Sequence, residues 1–433
     1  MPTVAIARLE DKHRSFDRVY SLVREALSEL GGFDAFVKPG QTVVIRPDQS
    51  VARSAQQGCT TDPLLIGALI RLAHHAGAAK VQVAASGSGF LNSIKCMRTT
   101  GVAAMAEQEG AELLDLGSDH VPNREVSLPE GHSLRRALLP VPLLEAEVII
   151  AVPKAKTDYL DVISGSRELC AGSLNQRWRA SQEGAAHTIE RYADILTVLR
   201  PDLFVTDALV CGEGDGPHAN IPRWCGCIMA SSDPVAMDVG ICMLLGQDWK
   251  RMQFAAAAES RGLGNREPVV FLGTSLERVA IKAWPSHEGL QYLPVNVLVG
   301  KDVTEFGTIG HVKSALESLL RHGVLQQSLS TAGTPTIMLG DVDDPEFERH
   351  LEEGPYIVFD DAAQLKYKAD PRVFFVSGHP VTHDALPALT RILRMEAKKR
   401  RELEGSGRNR AAAAAAAMGL GAFLWMRGSG KRT

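Results

Sequence analysis

The chain has 433 residues, too many for one simple core when domains usually run to roughly 100–200 residues, so two or three units are expected. Its 47 Lys and Arg stand against 51 Asp and Glu, a net charge of −4, which excludes the broad basic field that draws proteins to nucleic acid. The seven cysteines are scattered and odd in number, and "MPTVAIARLEDKHRSFD" lacks a basic stretch followed by an apolar one, so a reducing, cytoplasmic setting is expected.

Short β-branched runs alternate with helical stretches from the start. "TVAIAR", a helix around 15–30, "TVVIRP", a helix around 62–77, "KVQVAAS" and "AEVIIAVP" follow one another. This alternation predicts an α/β fold with a mostly parallel sheet covered by helices on both faces. "LFVTD" (203–207) and "GCIMAS" (226–231) read as further buried strands, and a helix starts near Asp233-Pro234. Beyond about 290 a second series, "VNVLVG", "PTIMLGD", "YIVFDD" and "RVFFVSG", predicts a smaller α/β domain, with helices near 309–323 and 384–402. The expected division is therefore 1–285, 290–402 and a tail, 403–433.

That tail changes character. "RMEAKKRRELEGSGRNR" is basic, and residues 411–426, "AAAAAAAMGLGAFLWM", are apolar. Sixteen residues at 1.5 Å each span roughly 24 Å, short of the roughly 30 Å hydrocarbon core. Two readings stay open: membrane contact through a tail anchor, or an Ala-rich helical extension.

In open parallel sheets ligands bind beyond the carboxyl ends of strands, so the residues that follow each strand carry the functional signal. After "TVVI" come Arg46-Pro47-Asp48. After "VQVAA" come Ser86-Gly87-Ser88-Gly89, and after "VIIAVP" come Lys154, Lys156, Thr157 and Asp158. "LFVT" leads into Asp207 and "CGEGDGPH" (211–218), and "CIMAS" into Ser232-Asp233. Placed on one edge of the sheet, Lys154, Lys156 and Arg46 beside the Gly/Ser turn make a site for phosphate or carboxylate. The alternative is that the lysines snorkel into solvent. As surface positions, replacing both lysines with Met would change stability by no more than about 1 kcal/mol. "SGSG" has neither P-loop nor dinucleotide spacing.

His187, Glu190 and Asp194 share one face of "HTIERYADILTVLR", which suits a general base, a metal ligand or simply a solvated face. In "CGEGDGPH" three glycines let backbone crowd a ligand while Glu213, Asp215 and His218 offer acid, base or metal-binding groups; a long turn is the other reading. Cys225 and Cys227 form a C-x-C pair on one face of a strand. With no C-x-x-C in the chain, an iron–sulfur cluster is not expected, and buried packing thiols are. In the second domain Asp341, Asp343, Asp344, Asp360, Asp361 and His379 would share one rim, which suits a divalent cation such as magnesium or ordinary helix caps.

Taken together, "GCTTDP" (58–63), "VPKAKTD" (152–158), His187, "DALVCGEGDGP" (207–217) and "ASSDPVAMD" (230–238) resemble the domain of unknown function family numbered 362, in order and spacing from about residue 1 to 272. The resemblance implies a polar cleft in an α/β domain and, because members are often encoded with or fused to ferredoxin-like modules, a separate redox partner. The chain departs from the family pattern at Arg46-Pro47-Asp48, where the family shows Lys-Pro-Asn. It departs again at Lys156-Thr157-Asp158, against Lys-Thr-His, and at Arg167-Glu168, near a Lys-Asn pair. His187, Glu213, Asp207, Asp233 and Asp238 match. The expectation is an enzyme acting on an anionic small molecule, with His187, Glu213 and Asp207 as catalytic candidates. Arg46, Lys154, Lys156, Arg167, Ser86 and Gly87 would hold the anion. The alternative is a non-catalytic anion- or cofactor-binding assembly protein tethered through its tail.

Overall fold

The computed structural model describes residues 1–405 apart from 88–91, 159, 175–187, 215, 218–219, 287–293, 301–311, 313–314, 317–318, 321–322, 360–362 and 378–381. The chain divides near residue 288 into two compact units.

The first unit is built on strands β1 (Thr3–Arg8), β2 (Thr42–Pro47), β3 (Lys80–Ala85) and β4 (Glu112–Asp115), a separate two-stranded ribbon of β5 (Asn123–Ser127) and β6 (Arg136–Pro140), then β7 (Val148–Val152), β8 (Lys154–Lys156), β9 (Leu203–Glu213), β10 (Ile221–Ser231) and β11 (Val270–Gly273). The main sheet runs β11-β1-β10-β9-β7-β2-β3-β4, with β8 paired to β9. Alternate residues feed opposite cores. Val4, Ile6, Val44, Ala151 and Phe204 enter one apolar layer, and Ala5, Ala7, Val43, Ile45, Ile150 and Val205 the other. A sheet buried on both faces needs the near-continuous apolar runs that the sequence shows.

The sheet is mixed. β2, β3, β4, β7 and β9 run parallel, but β10 is antiparallel to both β9 and β1. "CGEGDGPH" is therefore not a strand-to-helix loop: it ends β9 and enters the turn of a long β9–β10 hairpin. The carboxyl end of β10, with Asp233 behind it, lies at the opposite edge from the carboxyl ends of β2, β7 and β9. This corrects the expectation that every post-strand polar group gathers at one edge.

Asp194, read as part of a solvated helix face, is fully buried in the helix Thr188–Leu196. Its carboxylate accepts the backbone N–H groups of His132, Ser133 and Leu134 and pairs with Arg261. Burial would raise its pKa, but those N–H groups and Arg261 win and hold it below the usual range.

The second unit carries the parallel sheet β12 (Asn296–Val299), β13 (Thr336–Leu339), β14 (Tyr356–Phe359) and β15 (Val373–Val376), in that order. Its long terminal helix is Thr382–Gly405. No helix among the described residues is long and apolar enough to cross a membrane, and residues 411–426 lie outside them.

Candidate functional site

Where β2, β8 and β9 end, charged side chains go inward. Lys154 and Lys156 alternate with Ala155 on the short strand β8, so both ammonium groups leave the same side, and both are wholly buried. Lys154 Nζ lies 2.8 Å from Asp207 Oδ2, and Lys156 Nζ lies 2.8 Å from Asp48 Oδ2 while donating to Cys59 O at 2.7 Å. The expected exposed rim is thus corrected: each lysine is inside and already faces a carboxylate.

Asp207 does more than neutralise a lysine. Its Oδ2 also accepts the Asp62 N–H at 2.7 Å, and its Oδ1 the Leu209 N–H at 3.0 Å. Asp62 in turn caps the helix Pro63–His75 through the Leu64 N–H and pairs with Arg14. Burial and the neighbouring Asp207 charge raise the Asp62 pKa against the pull of Arg14. The loop bearing Cys59 reaches this place only because Gly58, at φ +76°, lies against the hairpin, where a Cβ would stand 2.8 Å from Cys211 O.

The helix Gly165–Ala171 closes the site. Arg167 pairs with Asp158, which also accepts the Ser164 hydroxyl at 2.6 Å. Burial works against the Arg167 charge, but Asp158 and Glu168 outweigh it and raise its pKa. Glu168 keeps 12% of its side chain exposed and has Arg167 3.7 Å away. Burial pushes its carboxyl up to about 7, with the Asp48 and Asp158 charges adding to the effect and Arg167 and Lys156 opposing it. Asp238 comes in on the helix Pro234–Leu244 and accepts the Ser166 N–H and hydroxyl at 2.8 and 2.9 Å; burial lifts it to about 7 as well. Lys156 stays charged, because Asp48 and Glu168 outweigh its burial. One atom of this group, Arg167 Nε, has no hydrogen-bond partner among the described residues.

Arg46 differs from the other cations. It is buried, and its guanidinium donates only to neutral oxygens: Ala84 O at 3.2 Å, Ser173 Oγ at 2.7 Å and Leu169 O at 2.9 Å. With no carboxylate paired to it among the described residues, burial lowers its pKa to about 10. Ser86 and Gly87 lie on this side: a Cβ at Gly172 would stand 3.5 Å from Arg46 Nη2 and 3.8 Å from Ser86 O.

The other candidates separate. Glu213, at the end of β9, accepts the Trp284 N–H at 3.2 Å and lies 3.6 Å from Arg223. His187, Asp215 and His218 fall outside the described residues, as do Asp360, Asp361 and His379. Asp343 is engaged by Lys366 and Tyr367, and Asp344 by His350 and Tyr356. No group of three His, Cys, Asp or Glu side chains among the described residues has metal-binding geometry. The reading that concentrated on cations missed Asp48, Asp62 and Glu168. Their signal was present, since Asp48 follows Arg46 by two residues and Glu168 adjoins Arg167.

Replacing Lys154 alone with Met strands Asp207 in the interior and is expected to cost about 3–5 kcal/mol. Lys154→Met with Asp207→Leu should be less destabilised than that single change, as read by denaturant unfolding; equal or additive losses would contradict the pairing. A pH series supplies a second check. Glu168 goes from an ordinary 4.5 to about 7 in the fold, so its contribution is full below 4.5 and is lost as pH rises towards 7. Glu168→Gln should remove on the order of 3 kcal/mol of that fall between pH 4.5 and 7; an unchanged slope would refute the assignment.

With this geometry in place, the likenesses to known proteins can be placed. The chain is 27% identical over 250 residues to the thylakoid-associated protein sll1697 of Synechocystis sp. (strain ATCC 27184 / PCC 6803 / Kazusa), covering 56% of this chain and 74% of that one. The structure of the lactate racemase apoprotein from Thermoanaerobacterium thermosaccharolyticum is similar at a TM-score of 0.34 and 12% identity, over 91% of this chain and 81% of that one. Residues 43–243, which hold nearly all of β2, with β8, β9 and the buried charge cluster, match the family described as Domain of unknown function (DUF362).

Proposed function

We propose that the chain is an enzyme acting on an anionic small molecule at the carboxyl edge of β2, β8 and β9, with Arg46 receiving the anion and Glu168 moving a proton. The observation that carries the reading is the Arg46 guanidinium, buried and held by three neutral oxygens, while Lys154, Lys156 and Arg167 each face a carboxylate. A lone buried cation is costly, and an incoming phosphate or carboxylate would supply its missing counter-charge. Glu168 is suited to proton transfer: it reaches solvent, its pKa lies near neutrality, and Lys156 and Arg167 stand on either side to stabilise its anion. Lys156 and Arg167 keep the acids in place and polarise the site. A non-catalytic anion-binding protein would need Arg46 but not Glu168, and the test below separates the two.

The probes are inorganic phosphate and a panel of short mono- and dicarboxylates. A ligand at 100 times its Kd stabilises by about 2.7 kcal/mol, so the binder among them should raise the wild-type melting temperature measurably. Arg46→Met should lose that shift. Glu168→Gln should keep the shift and lose conversion of the bound anion, followed by mass spectrometry. No shift with any probe, or the same shift in Arg46→Met, would overturn the site, and conversion undiminished in Glu168→Gln would overturn its catalytic role.

The Synechocystis relative is named for association with thylakoids. We extend peripheral membrane association to this chain through its basic segment and residues 411–426, each Lys or Arg contributing about 1 kcal/mol beside anionic headgroups. Full-length protein is expected to float with anionic vesicles at low salt and to be released at high salt, and truncation after Gly405 to lower the bound fraction. Failure of the full-length chain to float would refute the association.

A further inference from the structure

Three of the seven cysteines, Cys211, Cys225 and Cys227, lie on the β9–β10 hairpin, beside the charge cluster. Cys225 and Cys227 flank Gly226, whose φ of +77° lies in the left-handed region, and the register between β10 and β9 slips here: Trp224 faces Val210, and Cys227 faces Ala208. Two residues of β10 thus oppose one of β9, a β-bulge. In a regular strand, Cys225 and Cys227 would stand a full two-residue repeat apart. The bulge folds that interval, and the sulfurs lie 3.6 Å from each other. A Cβ at Gly226 would stand 2.9 Å from the Trp224 ring, so the turn is one that only glycine fits. Leu9 N–H bonds to Gly226 O at 2.8 Å and pins the bulge to β1.

We infer that Cys225 and Cys227 form a reversible dithiol–disulfide site that a small hydroperoxide oxidises. Closing the bond requires the sulfurs to move from 3.6 Å to about 2.05 Å. The two thiols have different roles. Cys225 is 8% exposed and Cys227 is fully buried, so peroxide meets Cys225 first. Hydrogen bonds from Cys211 and then Cys227 lower the Cys225 pKa to about 5. Its Sγ also lies 3.2 Å from Val279 O, a contact that favours the protonated thiol and opposes the two neighbouring thiols. The Cys225 thiolate attacks a peroxide oxygen, giving the sulfenic acid and hydroxide. The Cys227 sulfur then displaces water from that sulfenic sulfur and forms the S–S bond. In sum, two thiols and one hydrogen peroxide give one disulfide and two waters. Cys211, fully buried on β9, neighbours Cys225 and is not consumed.

The test is a titration of the reduced full-length protein with hydrogen peroxide, followed by denaturing alkylation and peptide mass spectrometry. The expected product is the peptide beginning at Trp224 with two hydrogens fewer and the crosslink localised between Cys225 and Cys227, restored by dithiothreitol. Cys225→Ser and Cys227→Ser should each abolish that species, the latter leaving a trappable sulfenic acid at Cys225. A disulfide formed instead with Cys211, or seven alkylatable thiols after a peroxide dose that oxidises a free low-pKa thiol control, would overturn the proposal. Gly226→Ala, if it folds, should lower the yield by straightening the bulge, and an unchanged yield would remove the bulge from the argument.

Discussion

The Lys154–Asp207 ion pair, wholly withdrawn from water, is the interaction on which the carboxyl edge of the large sheet depends. Removing two charges from water costs several kcal/mol for each ion, and their attraction repays this only when the remaining lone pairs and protons are also satisfied. Asp207 meets that condition by accepting the Asp62 and Leu209 N–H groups. The same carboxylate therefore fixes β8, the bulged part of β9, and the start of the helix Pro63–His75. Loosening it would release the loop that brings Cys59 O to Lys156, so the two lysines are coupled through the backbone between them.

Chain direction then decides which acids can join. Because β10 returns antiparallel to β9, Asp233 caps its helix at the far edge of the sheet. That helix runs back at about 1.5 Å per residue, and five residues later Asp238 has come within reach of Ser166. The approach demands glycine at residue 165, where φ is +46° and a Cβ would stand 2.4 Å from Asp238 Oδ1. A strand reversal that would scatter the acids thus brings one of them in from the opposite side.

The sheet was legible in the sequence because strand periodicity is local. Runs such as "TVAIAR" and "TVVIRP" alternate between two cores, and their pattern needs no knowledge of their neighbours. The burial of Lys154 and Lys156 was not legible, since Asp48 lies more than a hundred residues before Lys156 and Asp207 more than fifty after Lys154. A lysine that follows an apolar run looks the same whether it enters solvent or meets a distant carboxylate. The hairpin was hidden for a related reason: "LFVTDALVCGE" continues as strand past the polar Asp207, where polarity reads as a strand end. Arg46 was legible as a cation, but its isolation emerges only when every partner is in place.

That isolation bears on how charge and protons move together in the site. Glu168 and Asp238 both sit near 7, so at neutral pH the cluster exchanges protons with little cost, whereas Lys156 and Arg167 remain charged. On the proposed reading, an anion arriving at Arg46 would add negative charge to a low-dielectric region that already holds Asp48 and Asp158, and would disfavour the ionised form of Glu168. Glu168 would then take up a proton as the anion binds, and reciprocity would make the protonated site the tighter binder. The proton is then held by a carboxyl that reaches solvent, beside a substrate whose charge has stabilised it. Arg46 and Glu168 together would thus convert the expense of burying charge into a linkage between binding an anion and loading an acid.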